Sequence, residues 1–371
     1  LRRALWPCFY SGCQRLDAGG IFRSGAQAAL LPAAKKDRSI VPVSLGDQGA
    51  DALHGVNLMP AEGVALNVQA VEGQGHPQKA LNAVHMDGRA HAEEVARLSD
   101  GEMRIQVYPN SVIGGDRELL ESCKDGDIPF IVQNTAPQVP FMADIAVFDI
   151  PMLFDSIQAV RSAVDHPAFL SRIGQVYQRG GYELLGYADQ GFRVMATNQR
   201  VLGLADFKGQ KIRTMENPFH LAFWKALNAA PTPMTFSEVY IGLQQGTIDA
   251  QENPYEVIVS NKLYEQQRYV VETNHLPHLI SLIVSDKFMQ KLSDTQQQII
   301  RQAAETAKTY AREQSDARIT SRIETIEQSG TQIIHLDEKT KAEMRQLSQP
   351  LYDRISHQVD AQLIESYISD L

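Results

Sequence analysis

The stretch Lys211-Ile-Arg-Thr-Met-Glu-Asn-Pro218 puts an arginine where a strand stops and a helix starts. The turn signal Gly209-Gln210 precedes an extended Lys211-Ile-Arg213, and Asn217-Pro218 supplies a helix N-cap followed by a proline suited to the first helical turn. A guanidinium at such a place carries five donors in a fixed fork, and the exposed N–H groups of the following helix add partial positive charge beside it. That is a place to hold a carboxylate. A second arginine, Arg193, lies twenty positions upstream in the alternating run Gly191-Phe-Arg-Val-Met-Ala-Thr197, and Asn253 lies forty positions downstream in Asp249-Ala-Gln-Glu-Asn-Pro254. Taken singly, the arginines would be read as surface ion pairs and Asn253 as a turn or cap residue.

Other chemistry is poorly served. Glu216 and Glu252 flank the arginine and asparagine segments, and a carboxylate pair can do acid–base work. Their neighbours suit hydrogen bonding of ligand hydroxyls, or pairing with the arginines, better than catalysis. There is no G-x-S-x-G, H-E-x-x-H, Walker loop or G-x-G-x-x-G after a strand. His275-Leu-Pro-His278 and the pair His85 and His91 lack cysteine or carboxylate partners at metal spacing, so the histidines are read as structural or exposed. The three cysteines, Cys8, Cys13 and Cys123, make no ligand set either, and Cys123 is expected as a partly buried thiol. Neither a metal nor a cofactor is expected, and the protein is read as a binder, not an enzyme. A net charge of -9 without a basic stripe argues against nucleic acid as a partner. It does not exclude an acidic ligand, because two arginines and a helix end focus positive charge locally.

The elements that must position these residues follow from hydrophobic periodicity. At 371 residues, 43% hydrophobic and 21% charged, the chain is long enough for two lobes with cores of their own. No run of about eighteen apolar residues is present. Residues 1–60 read as a disordered or poorly packed tail, with Gly, Ala and Pro scattered without period. The basic start is broken by Pro7, Tyr10-Ser-Gly-Cys13 lacks the leucine of a lipoprotein cleavage site, and the first residue is Leu1, which leaves open a fragment or a misplaced start. From Val64 the pattern is regular. Strands are expected over 64–70, 103–107, 128–132, 183–187 and 192–197, with helices between, broken first at Gly75-His76-Pro77. A loop beyond the carboxyl end of a strand is a common ligand crevice, which nominates Gln133 and Asn134. Ser293-Asp-Thr-Gln296 reads as a capping box opening a helical pattern of over thirty residues, ended by Gly330. A last strand over 331–336 and amphipathic helix from Glu338 complete the chain.

The spacing of Arg193, Arg213 and Asn253 resembles that of the solute-binding receptors of tripartite ATP-independent periplasmic (TRAP) transporters, the DctP family. Further motifs in the same order are Tyr108-Pro-Asn-Ser111 with Gly114-Gly115, Phe148-Asp-Ile-Pro-Met-Leu-Phe154, Pro231-Thr-Pro-Met234, Glu238-Val-Tyr240 and Leu243-Gln-Gln-Gly246. The resemblance covers residues 64–371. It implies an α/β, two-lobed periplasmic-binding-protein-like fold with mixed sheets and a long helix crossing both lobes. The lobes would be 64–190 plus 279–318 and 191–278 plus 319–371. It implies that Arg213 pairs bidentately with a ligand carboxylate while Arg193 and Asn253 complete the clamp. Gln133, Asn134, Glu216 and Asn217 would face ligand hydroxyls, and Phe236 and Trp224 would cover its apolar face, ordinary core packing staying open for both rings. The partners implied are a small organic acid and integral-membrane permease subunits, and the location is periplasmic, although no export signal is visible in the sequence. A sugar acid such as a uronate or aldonate is favoured because of the hydroxyl-binding residues. A four-carbon dicarboxylate or keto acid, with Arg193 taking the second charged group, and a ligand-binding sensor not coupled to transport stay open.

Overall fold

The computed structural model describes residues 57–58, 64–68 and 83–369, apart from 109, 110 and 112. Of the tail expected over 1–60, only the short strand β1 (Asn57–Leu58) is among them; Cys8, Cys13, the break at 75–77 and the centre of the 108–111 turn lie outside the described residues. The first half of the chain then runs β2 (Val64–Val68), α1 (Ala83–Leu98), β3 (Gln106–Tyr108), α2 (Asp116–Asp125), β4 (Phe130–Asn134), α3 (Ile157–Asp165), α4 (Pro167–Gly180) and β5 (Tyr182–Phe192). The strand expected over 103–107 is shorter and later. Ser99 explains this: its hydroxyl accepts from Met103 N–H and donates to Met103 C=O, holding residues 99–103 in a turn. The strand expected over 128–132 instead ends at Asn134, because Gln133 and Asn134 continue the ladder opposite Ser281 and Ile280.

The chain continues through β6 (Val194–Thr197), β7 (Lys211–Thr214), α5 (Pro218–Ala226), β8 (Ala230–Pro233), α6 (Val239–Gln244), β9 (Ala250–Asn253), α7 (Tyr255–Ser260), β10 (Tyr269–Glu272) and β11 (Pro277–Ser285). After a short α8 (Asp286–Met289) come α9 (Asp294–Gln328), β12 (Gln332–His335), α10 (Glu338–Leu347), α11 (Gln349–Gln358) and α12 (Ala361–Tyr367). The strands form two mixed sheets. One runs β1-β2-β4-β11-β5 with β3 beside β2, and the other runs β12-β10-β6-β9-β7-β8. The chain passes between the sheets from β5 to β6 and returns from β10 to β11. The two crossings lie side by side: Phe192 pairs with Pro277, and Arg193 N–H donates to Leu276 C=O at 2.8 Å.

Each sheet carries its own core. Phe130, Val132, Ile280, Leu282 and Val284 pack under α1 and the first part of α9, where Ile300, Ala303 and Ala304 face them. Met195, Ile212, Phe223, Trp224 and Val271 form the main core of the second sheet. Helix α9 joins the two. Its capping box is present, with Ser293 Oγ accepting from Gln296 N–H and Gln296 Oε1 from Ser293 N–H, and Gly330 follows its end at φ 90°. Along its length Arg301 pairs with Glu183, Arg312 with Asp165, and Arg318 and Arg322 with Glu256 on α7, so one helix is ion-paired to elements of both sheets. No helix among the described residues is long and apolar enough to cross a membrane.

Two sequence expectations are corrected at the C-terminus. The continuous helix from Glu338 is three helices, because Pro350 in the first turn of α11 cannot extend α10 and Val359 is extended. The block 319–371 is also not confined to the second lobe, since α12 packs on α3 and α4, with Tyr367 among Phe148, Phe154 and Phe169. Cys123 is fully buried, its thiol near Pro129 C=O at 3.7 Å. Replacing Ser293 by alanine removes one half of the α9 capping box and should lower folding stability by about 1 kcal/mol. The check is a lower urea midpoint at unchanged slope; an unmoved midpoint would show that the cap does not hold the helix start.

Candidate functional site

Arg213 is the third residue of β7, flanked by Gln251 of β9 and Thr232 of β8. Its side chain is only 2% exposed. Nε and Nη2 both donate to Met234 C=O, at 2.9 and 2.8 Å, while Nη1 is buried and makes no hydrogen bond to a described residue. The guanidinium lies over the Phe236 ring, 5.4 Å from its centroid. Because the Nε/Nη2 edge is held by Met234, the edge left for a carboxylate is the end-on fork of Nη1 and the second proton of Nη2. Burial lowers the Arg213 pKa to about 10, with Glu252 pulling it back up, so the group is still charged at neutral pH.

Arg193 occupies the crossing between β5 and β6 and is held differently. Its Nε donates to Glu252 Oε2 at 2.5 Å and its Nη2 to Glu252 C=O, to Glu252 Oε1 at 3.0 Å and to Asn253 Oδ1 at 3.2 Å, while its Nη1 donates to His278 Nδ1. An arginine only donates, so His278 is neutral with its proton on Nε2; burial and then Arg193 hold its pKa well below the ordinary value. His275 donates from Nε2 to Glu252 Oε2 at 3.1 Å and its Nδ1 faces the Thr273 hydroxyl at 2.8 Å. Burial of Glu252 would raise its pKa, but Arg193, His220 and His275 together outweigh that and keep it well below the usual carboxylate range. Asn253 completes the group, donating to Gln251 Oε1 at 2.6 Å.

The remaining expected residues are distributed by the fold. Gln133 is fully buried, with its Nε2 donating to Asp116 C=O at 3.1 Å and Asp116 Oδ1 at 2.9 Å. Successive strand residues point to opposite faces. Asn134 accordingly turns back to the crossing: its amide donates to Leu279 C=O at 2.8 Å and its oxygen accepts from Ala136 N–H at 2.9 Å. Asn217 caps α5 as expected, accepting from Phe219 and His220 N–H groups, and its amide donates to Ala136 C=O and Asp149 Oδ2. Its hydrogen-bonding capacity is taken up in tying α5 to the end of β4 and the 143–149 turn. Glu216 is exposed and makes no ion pair with described residues. Trp224 is fully buried against Phe207, Phe223 and His275, with ring centroids at 6.0, 5.1 and 5.1 Å, so its ring belongs to the core of the second sheet.

Sequence reasoning missed several participants. Three of the histidines that the sequence suggests are structural or exposed, His220, His275 and His278, are buried and meet the Arg193–Glu252 pair or its neighbours. The His-Leu-Pro-His spacing on the return crossing, opposite Arg193, was the available signal. Asp149 was visible only as part of a motif; it accepts from His220 Nε2 at 3.1 Å and from Asn217. Met234 acts through its backbone carbonyl, which no side-chain pattern announces. Among the described residues, no His, Cys, Asp or Glu group is arranged to hold a metal ion.

Burial alone would lower the His220 pKa, but Asp149 and then Glu252 raise it to about 9, above the 6.5 of a free histidine. A group raised on folding stabilises fully below its unfolded pKa and loses that contribution as pH climbs through its folded one. Relative to His220→Gln, the wild type should therefore be most favoured below about pH 6.5 and lose its advantage between there and about pH 9. Urea midpoints of both proteins across this range test it; a constant difference would mean that His220 stays neutral. Trp224→Ala should lower stability by about 3–5 kcal/mol, as for a large aromatic removed from a core. Denaturant titration reads this directly, and a loss under about 1 kcal/mol would remove the packing role.

Comparison with known proteins places this geometry. Residues 74–358 match the bacterial extracellular solute-binding protein family 7, DctP. A solute-binding protein of Verminephrobacter eiseniae is 34% identical over 218 residues, 57% of this chain and 64% of that protein, just under two thirds of its length. A TRAP periplasmic solute-binding protein of Bordetella, with density assigned as pantoate, is 29% identical with a TM-score of 0.75 over 83% of this chain and 99% of that one. Another from Polaromonas, bound to D-erythronate, is 27% identical with a TM-score of 0.76 over 82% of this chain and 98% of that one. With a two-lobed fold in common with these receptors, the chain belongs to the bacterial extracellular solute-binding protein family 7, the DctP family, and is a TRAP-type solute-binding receptor, not an enzyme.

Proposed function

We propose that this receptor captures a small sugar acid, an aldonate or a uronate, in the periplasm and delivers it to the membrane permease subunits of a TRAP transporter. The observation that carries the reading is Arg213: a buried guanidinium with one edge pinned on Met234 C=O, an Nη1 that bonds to no described residue, and the Phe236 ring beneath it. Such a fork takes one carboxylate end-on, and the ring suits the carbon skeleton behind it. Arg193 supports the clamp from the crossing and Asn253 from the end of β9, and Gln133 faces a ligand hydroxyl. Asn217 and Asn134 act by joining α5 and β4 to their neighbours, Trp224 by packing, and Glu216 from the exposed rim. The lobes that close over the ligand are assigned as residues 64–190 with 279–318, and 191–278 with 319–371 apart from α12.

A dicarboxylate is less well served. Arg193 already faces Glu252 through both nitrogens of one edge and His278 through the other, so its charge is balanced within the protein. A second ligand carboxylate would have to compete with Glu252. The pantoate and D-erythronate of the Bordetella and Polaromonas proteins, each a hydroxy acid with a single carboxylate, support the same direction.

Thermal unfolding of the full chain against aldonates, uronates, dicarboxylates and keto acids tests this. A ligand that binds only the native state at about 100 times its Kd adds roughly 2.7 kcal/mol, a shift of several degrees. Sugar acids should give the shift, and Arg213→Ala should weaken binding about a hundredfold or more through loss of charge-assisted bonds. A shift that survives in Arg213→Ala would displace the site, and a folded, ligand-free protein that no acid stabilises would overturn the reading.

A further inference from the structure

Asp149 is buried, and both of its oxygens are taken by the start of α5: Oδ2 accepts from Asn217 Nδ2 at 2.7 Å and Oδ1 from His220 Nε2 at 3.1 Å. The donors and the acceptor come from different parts of the fold. The 143–149 turn packs on α4 and α12, whereas α5 follows β7 of the second sheet. A buried carboxylate needs a countercharge, and among the described residues the only ion pair of Asp149 is with His220. The other nitrogen of that ring, Nδ1, faces Glu252 Oε1 at 3.7 Å. A carboxylate only accepts, so a ring with a carboxylate before each nitrogen is matched as the imidazolium, with a proton on both. Behind Glu252 stand Arg193, His275 and His278. On the other side Tyr367 of α12 stays neutral, its hydroxyl pKa raised by burial and then by Asp149, and Arg354 of α11 lies over the neighbouring Phe219 ring at 4.9 Å.

Resting on the sugar-acid reading above, we infer that Asp149 is a positioning residue for ligand capture: through His220 and Asn217 it holds the start of α5, and with it the loop behind Arg213, where the fork meets a carboxylate. Asn217 Oδ1 accepts from the Phe219 and His220 N–H groups while its Nδ2 donates to Asp149 and to Ala136 C=O, so the amide cannot turn over without losing both ends. Strand β7 carries Arg213 and ends at Thr214, so a displaced cap is felt at the guanidinium over only a few residues. The hold depends on the His220 proton. Burial works against that proton, but Asp149 and then Glu252 keep it, to a pKa of about 9. Once it is lost, one ring nitrogen sets a lone pair against a carboxylate, and the buried group of Asp149, Glu252, Arg193 and His220 passes from balanced to net negative. Both changes oppose the capture of an anion.

The test is calorimetric titration of the full chain with D-erythronate, D-galactonate and D-glucuronate from about pH 6 to about pH 9.5, run beside hydrogen exchange of α5. The affinity of an acid that binds should hold to about pH 8 and fall about tenfold through about pH 9. Arg213, lowered by burial to about 10, titrates only above this step. Asp149→Asn should bind about tenfold more weakly at neutral pH, with a smaller fall displaced toward about pH 6.5. His220→Gln should show similarly weak binding and no fall, since its amide does not titrate. In both variants the first turn of α5 should exchange about tenfold faster than in the wild type at neutral pH. A wild-type affinity that stays level through pH 9 would overturn the inference, and this holds even if neither variant folds. So would a fall that keeps its place in Asp149→Asn, or wild-type binding in both variants, while the receptor reading stands. If none of the acids binds, the sugar-acid reading falls instead, and exchange decides the hold alone: an α5 start protected equally in all three proteins would refute it.

Discussion

The ion pair between Arg193 and Glu252 is buried to within 1% of complete exclusion on both sides, at the point where the chain passes from one sheet to the other. Removing two charges from water costs several kcal/mol per ion, and the attraction between them offsets this only when the remaining protons and lone pairs are also satisfied. Here they are. Arg193 donates to Glu252, Asn253 and His278, and Glu252 accepts from Arg193 and His275 with His220 at 3.7 Å. The partners come from several segments: Arg193 from the outgoing crossing, His275 from the return, His278 from the start of β11, Glu252 and Asn253 from β9, His220 from α5. A charge that needs all of them keeps the two crossings in register and holds β9 against both.

That arrangement decides what Arg213 can do. With Arg193 balanced by Glu252, Arg213 is left with its Nη1 unbonded by any described residue, and Met234 C=O fixes its plane. The aromatic face of Phe236 restricts it from the other side. A rigid fork loses little freedom on meeting a planar carboxylate.

The lobes share more than the two crossing strands. Helix α9 carries bidentate or paired arginine contacts to Asp165 from its middle and to Glu256 nearer its C-terminal end, while its apolar stripe is interrupted between Ala311 and Ile323. The middle of the helix is thus held by ion pairs instead of core packing, and such pairs reorganise with less loss than interdigitated side chains. Asn217 makes the corresponding tie on the ligand side, joining the start of α5 to Ala136 and Asp149.

The sequence by itself determined the capping residues and the strand-to-helix position of Arg213. Asn217-Pro218 announced the start of α5, Ser293 and Gln296 announced α9, and the strand-to-helix position of Arg213 followed from both. These are local signals, carried by backbone donors and acceptors within a few residues of the side chain that satisfies them. What the sequence left open required distant segments to meet. Arg193 and Arg213 look alike in the chain, each beside a strand, and only the pairing of β6 with β9 puts Glu252 on one of them and not the other. The alternation of β4 made Gln133 and Asn134 look equivalent too, but they face opposite sides, one toward Asp116 and one toward the crossing. Trp224 and the histidines were undecidable for the same reason. Whether a ring or an imidazole lines a site or fills a core depends on which surface folds over it, and that is set by contacts between residues tens of positions apart.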